Sequence, residues 1–267
     1  MAKTKIAWTD ATWSPVTGCT KISAGCTNCY AERMARRLAG RCGYPEAPHH
    51  FDVTLHPDRL DQPLRWKKPR RVFVCSMGDL FHKKVPNEFI GRVWAHFLLS
   101  QRHTFQVLTK RPRRMLEAVV DIATKYPVAD NVWLGTSVEN QEQADKRIPD
   151  LLQTPAAVRF VSVEPMLGPV RWLTTDNDAA RSRVIGAGKP HEWRPTGAIS
   201  KGIDWLIIGC ESGPNRRPME LEWALDLVRQ CDAAKVAVFV KQLPINGRVS
   251  HDPTEWPAEL QRREYPK

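Results

Sequence analysis

The sequence predicts an α/β fold, an incomplete (βα) barrel of about six or seven parallel strands. Three observations predict it. Short apolar, β-branched runs recur along the chain, helix-patterned segments separate them, and polar side chains gather where each run ends. Six runs are continuous enough for strands covered on both faces, at 72–75, 104–108, 132–135, 158–163, 204–208 and 236–240. Thr12–Val16 supplies a further strand ahead of them. Strand order is not readable from periodicity, so a doubly wound sheet stays open as the alternative.

The helices follow in order. The segment from Tyr30 to Leu38 has helical character, and residues 86–101 set Phe89, Ile90, Val93, Trp94, Phe97 and Leu98 on one side. Residues 140–152 follow, ending near Leu151 and Leu152, and residues 219–234 group Leu221, Ala224, Leu225 and Val228. Pro86, Pro112 and Pro218 stand at helix starts, where a missing N–H costs least. Residues 171–203 mix Asp, Arg, Gly and Pro without periodicity and read as an insertion or lid. The expected organisation is a barrel over 1–243 carrying that insertion, then a C-terminal extension over 244–267 lying extended across the body.

The 267 residues are 42% hydrophobic and 26% charged, with 10 Trp and 8 Phe, which excludes a disordered chain. No apolar run reaches the roughly 18 residues that cross a bilayer, and the segment MAKTKIAWTD lacks a secretory apolar core. A cytoplasmic protein without a membrane partner is expected. The net charge of +11 is uneven: positions 1–120 hold 21 basic and 9 acidic side chains, a net of +12, and the remainder a net of −1. A one-sided positive field suits a polyanion such as nucleic acid or a nucleotide. The basic residues cluster at Arg33, Arg36, Arg37 and Arg41, at Lys67, Lys68, Arg70 and Arg71 beside Trp66, at Lys110, Arg111, Arg113 and Arg114, and at Arg216 and Arg217. Solvated helix faces are the plainer reading of any one of them.

Seven cysteines, an odd number, argue against a disulfide framework. Three of them, Cys19, Cys26 and Cys29, form a C-x6-C-x2-C pattern. Soft thiolates at that density suit an iron–sulfur cluster or zinc. A 4Fe-4S cluster held by three cysteines keeps one iron open for a small molecule. Zinc asks for a fourth ligand, which Cys42, His49 or His50 would supply.

In parallel α/β folds functional groups collect at the carboxyl ends of strands. Those positions hold Ser76, Met77, Gly78 and Asp79, then Thr109, Lys110 and Arg111, then Thr136 to Asn140. Ser162 and Glu164, Gly209 to Gly213, and Lys241 with Gln242 complete the rim. Ser, Thr, Asp and Asn are also ordinary helix caps. Glu139, Glu164 and Glu211 are not typical caps, and they turn the rim towards a site for a polar, zwitterionic molecule.

The motifs WSPVTGC (13–19), GCTNCYAE (25–32), SMGDLFH (76–82), LTKRP (108–112), WLGTSVEN (133–140), SVEP (162–165) and GCESG (209–213) occur in that order. Together they resemble the three-cysteine-motif, radical-SAM-like family commonly labelled as phage proteins of unknown function, over residues 6–243. The resemblance implies a partial barrel with a 4Fe-4S cluster on Cys19, Cys26 and Cys29. It implies S-adenosylmethionine on the open iron, reductive cleavage to a 5′-deoxyadenosyl radical, and a reductant or electron-transfer protein as partner. By position it puts Ser76, Gly78 and Asp79 at the methionine amino group, and Ser137, Glu139 and Asn140 at the ribose or carboxylate. Glu164 and Glu211 fall to ribose hydroxyls or substrate, and Cys210 to hydrogen-atom donation or, as the plainer reading, to a small buried side chain. The six residues between the first two cysteines depart from the usual C-x3-C-x2-C, and the aromatic Tyr30 follows the last cysteine instead of preceding it. Two functions are therefore expected: an iron–sulfur enzyme acting on an anionic substrate such as a nucleic acid or nucleotide, or a non-catalytic nucleic-acid-binding protein stapled by an iron–sulfur or zinc site.

Overall fold

The computed structural model describes residues 4–171 and 202–267. Nearly all of the expected insertion at 171–203 therefore lies outside the described residues. The chain opens with β1 (Ala11–Trp13), β2 (Val16–Thr17), α1 (Tyr30–Arg37) and β3 (Thr54–Leu55). Alternation follows: β4 (Arg71–Val74), α2 (Asn87–Leu99), β5 (Thr104–Thr109), α3 (Pro112–Ala123), β6 (Val132–Ser137), α4 (Gln141–Gln153) and β7 (Val158–Val163). The chain ends with β8 (Trp205–Gly209), α5 (Leu221–Ala234), β9 (Ala237–Ile245) and the short β10 (Arg248–Ser250).

Eight strands form one sheet in the order β1-β4-β5-β6-β7-β8-β9-β10. Each neighbouring pair is parallel except the last, an antiparallel hairpin. The order never reverses. Right-handed crossovers that always advance the same way put their helices on one face, so this is a singly wound α/β sheet, open between β1 and β10. The doubly wound arrangement, which needs a reversal of strand order, is excluded.

The two sheet faces carry separate cores. Val72, Val74, Phe105, Val107, Leu134, Val161, Leu206, Ile208 and Val240 face the helices and join Ile90, Phe97, Met115, Leu151 and Leu227 in one cluster. The alternate positions Phe73, Phe160, Trp205, Ile207 and Phe239 form a second cluster with Trp8 on the inner face. Leu108, Gly135, Phe160 and Trp205 stand in register across four strands as one layer of that interior. A Cβ on Gly135 would lie 2.7 Å from the Phe160 ring, so the glycine makes room for the aromatic.

The last residues seal the amino end of this inner face. Val240 N donates to Arg262 O and Glu264 N to Val238 O, both at 2.9 Å, which docks the tail along β9. Trp205 Nε1 donates to Glu264 O at 2.8 Å, and the Tyr265 ring packs on Trp205 and Phe239 beneath the Arg71 guanidinium. β9 itself runs to Ile245, five residues beyond the predicted strand, and turns back through Asn246 and Gly247, both at positive φ. That Asn-Gly pair is the dipeptide a two-residue hairpin favours.

Candidate metal centre

The three cysteines lie on one loop at the carboxyl edge of the sheet, and local backbone fixes both ends of it. Gly18 (φ +80°) precedes Cys19, and a Cβ there would fall 2.1 Å from Asp52 O. A single 3-10 turn, Ala24–Cys26, carries the second cysteine. Cys29 is the N-cap of α1 but its side chain caps nothing, which leaves the thiol uncommitted. All three thiols are half-buried and none is in a disulfide.

Three buried carboxylates from three different strand ends hold this loop, one beside each cysteine. After β4, Asp79 accepts from Thr109 Oγ1 at 2.8 Å, Phe81 N at 3.0 Å and Arg111 Nη1 at 2.7 Å. Arg111 in turn reaches Cys19 Sγ at 3.4 Å and Thr20 O at 2.9 Å. After β6, Glu139 accepts from Gly25 N at 3.0 Å, next to Cys26, and from Arg147 Nη1 at 2.9 Å. A Cβ on Gly25 would sit 2.9 Å from the Glu139 carboxyl carbon, so only glycine permits this approach. After β8, Glu211 accepts from Asn28 Nδ2 at 2.9 Å, next to Cys29, and from Arg217 N and Nε at 2.8 and 3.0 Å. His82 supports the same loop: its Nδ1 accepts from Lys84 N at 3.1 Å, so Nε2 carries the proton and donates to Thr20 Oγ1 at 2.9 Å.

These contacts show which partners the expected site residues already have. Asp79, Glu139 and Glu211 are all ion-paired to arginines, and Glu139 and Glu211 also bond the cysteine loop. Asn140 is the N-cap of α4, its Oδ1 accepting from Gln143 N at 3.1 Å. Gly78 lets backbones meet, a Cβ there falling 3.0 Å from the carbonyls of Val16 and Gly18, and Ser76 lends its carbonyl to Tyr30 Oη. Cys210, 2% exposed, packs in the helix-side core as a small buried residue. Arg111 and Arg217, expected as polyanion-binding, are ion-paired to Asp79 and Glu211, and Trp66, expected as a stacking surface, is buried.

Ser137, Ser162 and the Glu164–Lys241 pair make up the part of the rim that is not bonded to the cysteine loop. Ser137 and Ser162 are neighbours in register on the inner face, and the described residues offer neither hydroxyl a hydrogen-bond partner. Glu164 is ion-paired to Lys241, and the absent side chain of Gly209 leaves room for Glu164, whose Cγ and Cδ would lie 3.3 Å from a Cβ there. Sequence reasoning gives no role to Arg147 or Asn28 and no partner to Lys241. Asn28 beside Cys29 is the one signal available, since the parts played by Arg147 and Lys241 are read only from the contacts they make.

Electrostatics at the loop are mixed. Burial, with the Asp79 charge adding to it, pushes the Cys19 thiol up to about 11 against the pull of Arg111. Burial alone would raise Glu211, but hydrogen bonds from Arg217 and Asn28 outweigh it and hold the carboxyl below its ordinary value. Burial also pushes Cys75 and Cys210 up to about 12, keeping both as thiols.

The donor set fits a cluster in kind: three reduced thiols on one short loop, an arginine beside the first, and no side-chain cap on the last. Among the described residues no three His, Cys, Asp or Glu side chains stand close enough to hold one metal ion. A single zinc, with Zn–S of about 2.3 Å, needs its sulfurs within roughly 4 Å of one another. Of the side chains expected as a fourth zinc ligand, His49 has its Nδ1 paired with Asp52 at 3.0 Å.

No helix among the described residues is long and apolar enough to cross a membrane. No curated protein and no solved structure matches the chain. A family model described as a protein of unknown function, DUF5131, matches residues 3–260. With a match across nearly its whole length, the chain belongs to the DUF5131 family.

Proposed function

We propose that this protein is an iron–sulfur enzyme of the radical-SAM type, acting on an anionic substrate at the carboxyl edge of its sheet. One observation carries the reading: buried carboxylates from three separate strand ends anchor the three-cysteine loop beside its cysteines, Glu139 at Gly25, Glu211 at Asn28, and Asp79 through Arg111 at Cys19. Bound on this loop, a reduced 4Fe-4S cluster with an open iron would supply one-electron cleavage of S-adenosylmethionine to a 5′-deoxyadenosyl radical.

The chain's own residues do the rest. Cys19, Cys26 and Cys29 would be the ligands. Arg111 neutralises charge at Cys19 while Asp79 and Thr109 fix its guanidinium. Glu139 and Glu211 hold the second and third cysteines over the inner face, and the aromatic layer below them excludes water from its base. Ser137 and Ser162 present hydroxyls to that space, and the Glu164–Lys241 pair presents one carboxylate and one ammonium to a zwitterion or an anion.

Anaerobic reconstitution with iron and sulfide tests the reading. The expected product is a brown protein with iron and acid-labile sulfide in equal amounts, yielding 5′-deoxyadenosine from S-adenosylmethionine and dithionite. Replacing the three cysteines by alanine should abolish colour and product together. A colourless protein with stoichiometric zinc, or a loaded cluster that never cleaves S-adenosylmethionine, overturns it.

A further inference from the structure

We infer that the exposed face of α1 is a docking track for single-stranded nucleic acid, leading to the three-cysteine loop. This names the substrate class of the proposed site and takes its catalytic meaning, though not its binding, from that reading.

The helix begins at the residue after Cys29 and buries only Ala31 and Ala35. Tyr30, Arg33, Met34 and Arg37 recur at i, i+3, i+4 and i+7 on one exposed stripe, with Arg36 beside it. Among the described residues none of Arg33, Arg36, Arg37 and Arg41 forms an ion pair, whereas Arg71, Arg111, Arg113, Arg147 and Arg217 all do. The one acid on the helix, Glu32, is already paired to Lys21 at 3.0 Å. The track is therefore cationic, and no carboxylate among the described residues neutralises it.

Apolar side chains interleave with the charge. Ile22, Tyr30 and Met34 are 46%, 44% and 41% exposed. Tyr30 Oη is anchored on the Ser76 carbonyl, so its ring is held in place at the cysteine end of the stripe. The Arg33 guanidinium lies against Gly213, where a Cβ would meet its Nη1 at 2.4 Å, and this ties the stripe to the loop after β8. Arginine with an immobilised aromatic suits phosphates alternating with base faces. An acidic protein would use the charge but leave the ring without a partner, and a duplex would hide the base faces.

The test measures fluorescence anisotropy of a labelled 20-nucleotide single-stranded RNA on the full-length protein, without S-adenosylmethionine or reductant. Arg36→Glu/Arg37→Glu should weaken binding about tenfold or more, and should flatten the slope of log affinity against log salt by about 0.7 for each phosphate that the variant no longer neutralises. Tyr30→Leu should weaken binding with the salt slope unchanged, since stacking releases no counterions. Arg102→Glu/Lys146→Glu makes the same charge change at two exposed positions outside the basic clusters and should leave affinity within about twofold of wild type. Circular dichroism and melting temperature confirm that each variant is folded. No binding by wild type, equal losses in both charge-reversal pairs, or competition by polyglutamate as effective as by RNA overturns the inference. Binding that tracks α1 in a protein that never cleaves S-adenosylmethionine leaves this inference standing and sinks only the proposed chemistry.

Discussion

Glu139 and Arg147 make the most consequential contact at the residue scale, being 0% and 3% exposed and joined at 2.9 Å. Two charges in so dry a position pay heavily in desolvation, and removing one leaves the other stranded. Glu139→Ala should destabilise the protein by about 3–5 kcal/mol, read as a lower urea midpoint. It should also release Gly25 and reduce iron retained after reconstitution. Glu139→Ala/Arg147→Met should regain much of the stability and none of the iron retention, because only the electrostatic cost is cancelled. Equal iron retention in wild type and both variants would remove Glu139 from the role of loop anchor. Gly25→Ala probes the same contact from the other side: a Cβ at 2.9 Å from the Glu139 carboxyl carbon must push the loop outward, costing about 1–3 kcal/mol.

At the scale of elements, the strands of the sheet were legible because a strand covered on both faces has no polar position to disguise it. Phe105, Val107, Leu134, Phe160, Val161, Leu206, Ile207 and Val240 announce themselves, and the predicted starts at 72, 104, 132, 158, 204 and 236 lie within one residue of the observed ones. The short β2, β3 and β10 were not legible, since two or three residues hold no period. The loop anchors were half legible. Strand-end position flagged Asp79, Glu139 and Glu211, but nothing in one dimension says that Asp79 meets Arg111 or that Glu211 meets Arg217 and Asn28. Asn140 separates the two readings experimentally. As a cap on Gln143 N its replacement by alanine should cost about 1 kcal/mol of stability and leave S-adenosylmethionine affinity unchanged in isothermal titration. A large loss of affinity at unchanged stability would restore the ligand reading. The tail gives a second test at this scale. Deleting residues 262–267 uncovers Trp205 and Phe239 and removes the Arg262–Asp232 pair, so the melting temperature should fall by several degrees, with about 2 kcal/mol or more lost from the Tyr265 contacts alone.

Across the whole molecule, a chain with a net charge of +11 keeps several buried groups neutral, and that sets its response to acid. His56 is buried with Nε2 at 2.8 Å from Thr17 Oγ1, and His103 is buried with Nε2 donating to Pro63 O at 3.1 Å while its Nδ1 has no hydrogen-bond partner. Burial, helped by Arg59 at His56, holds both imidazoles below the ordinary value of 6.5. Below that value the unfolded chain binds protons that the folded chain refuses, so protonation favours unfolding. The stability these histidines contribute is present above pH 6.5 and is lost progressively as pH falls through 6.5 towards their lower folded values. Carboxylates act in a second, more acidic window. Asp10, held below 3.8 because the Arg71 hydrogen bonds outweigh its partial burial, and Glu211, held below 4.5, lose their contributions only as pH drops beneath those ordinary values. Melting temperature measured by calorimetry from pH 7.5 to 3.5 should therefore fall in two stages. His56→Gln/His103→Phe should start lower because it disturbs packing against Phe105 and Trp66, yet should run flatter between pH 6.5 and 5. A wild-type curve that stays level from pH 7.5 to 5, or a variant that keeps the full upper slope, would show that other groups set the acid response. The imidazoles would then be protonated inside the fold.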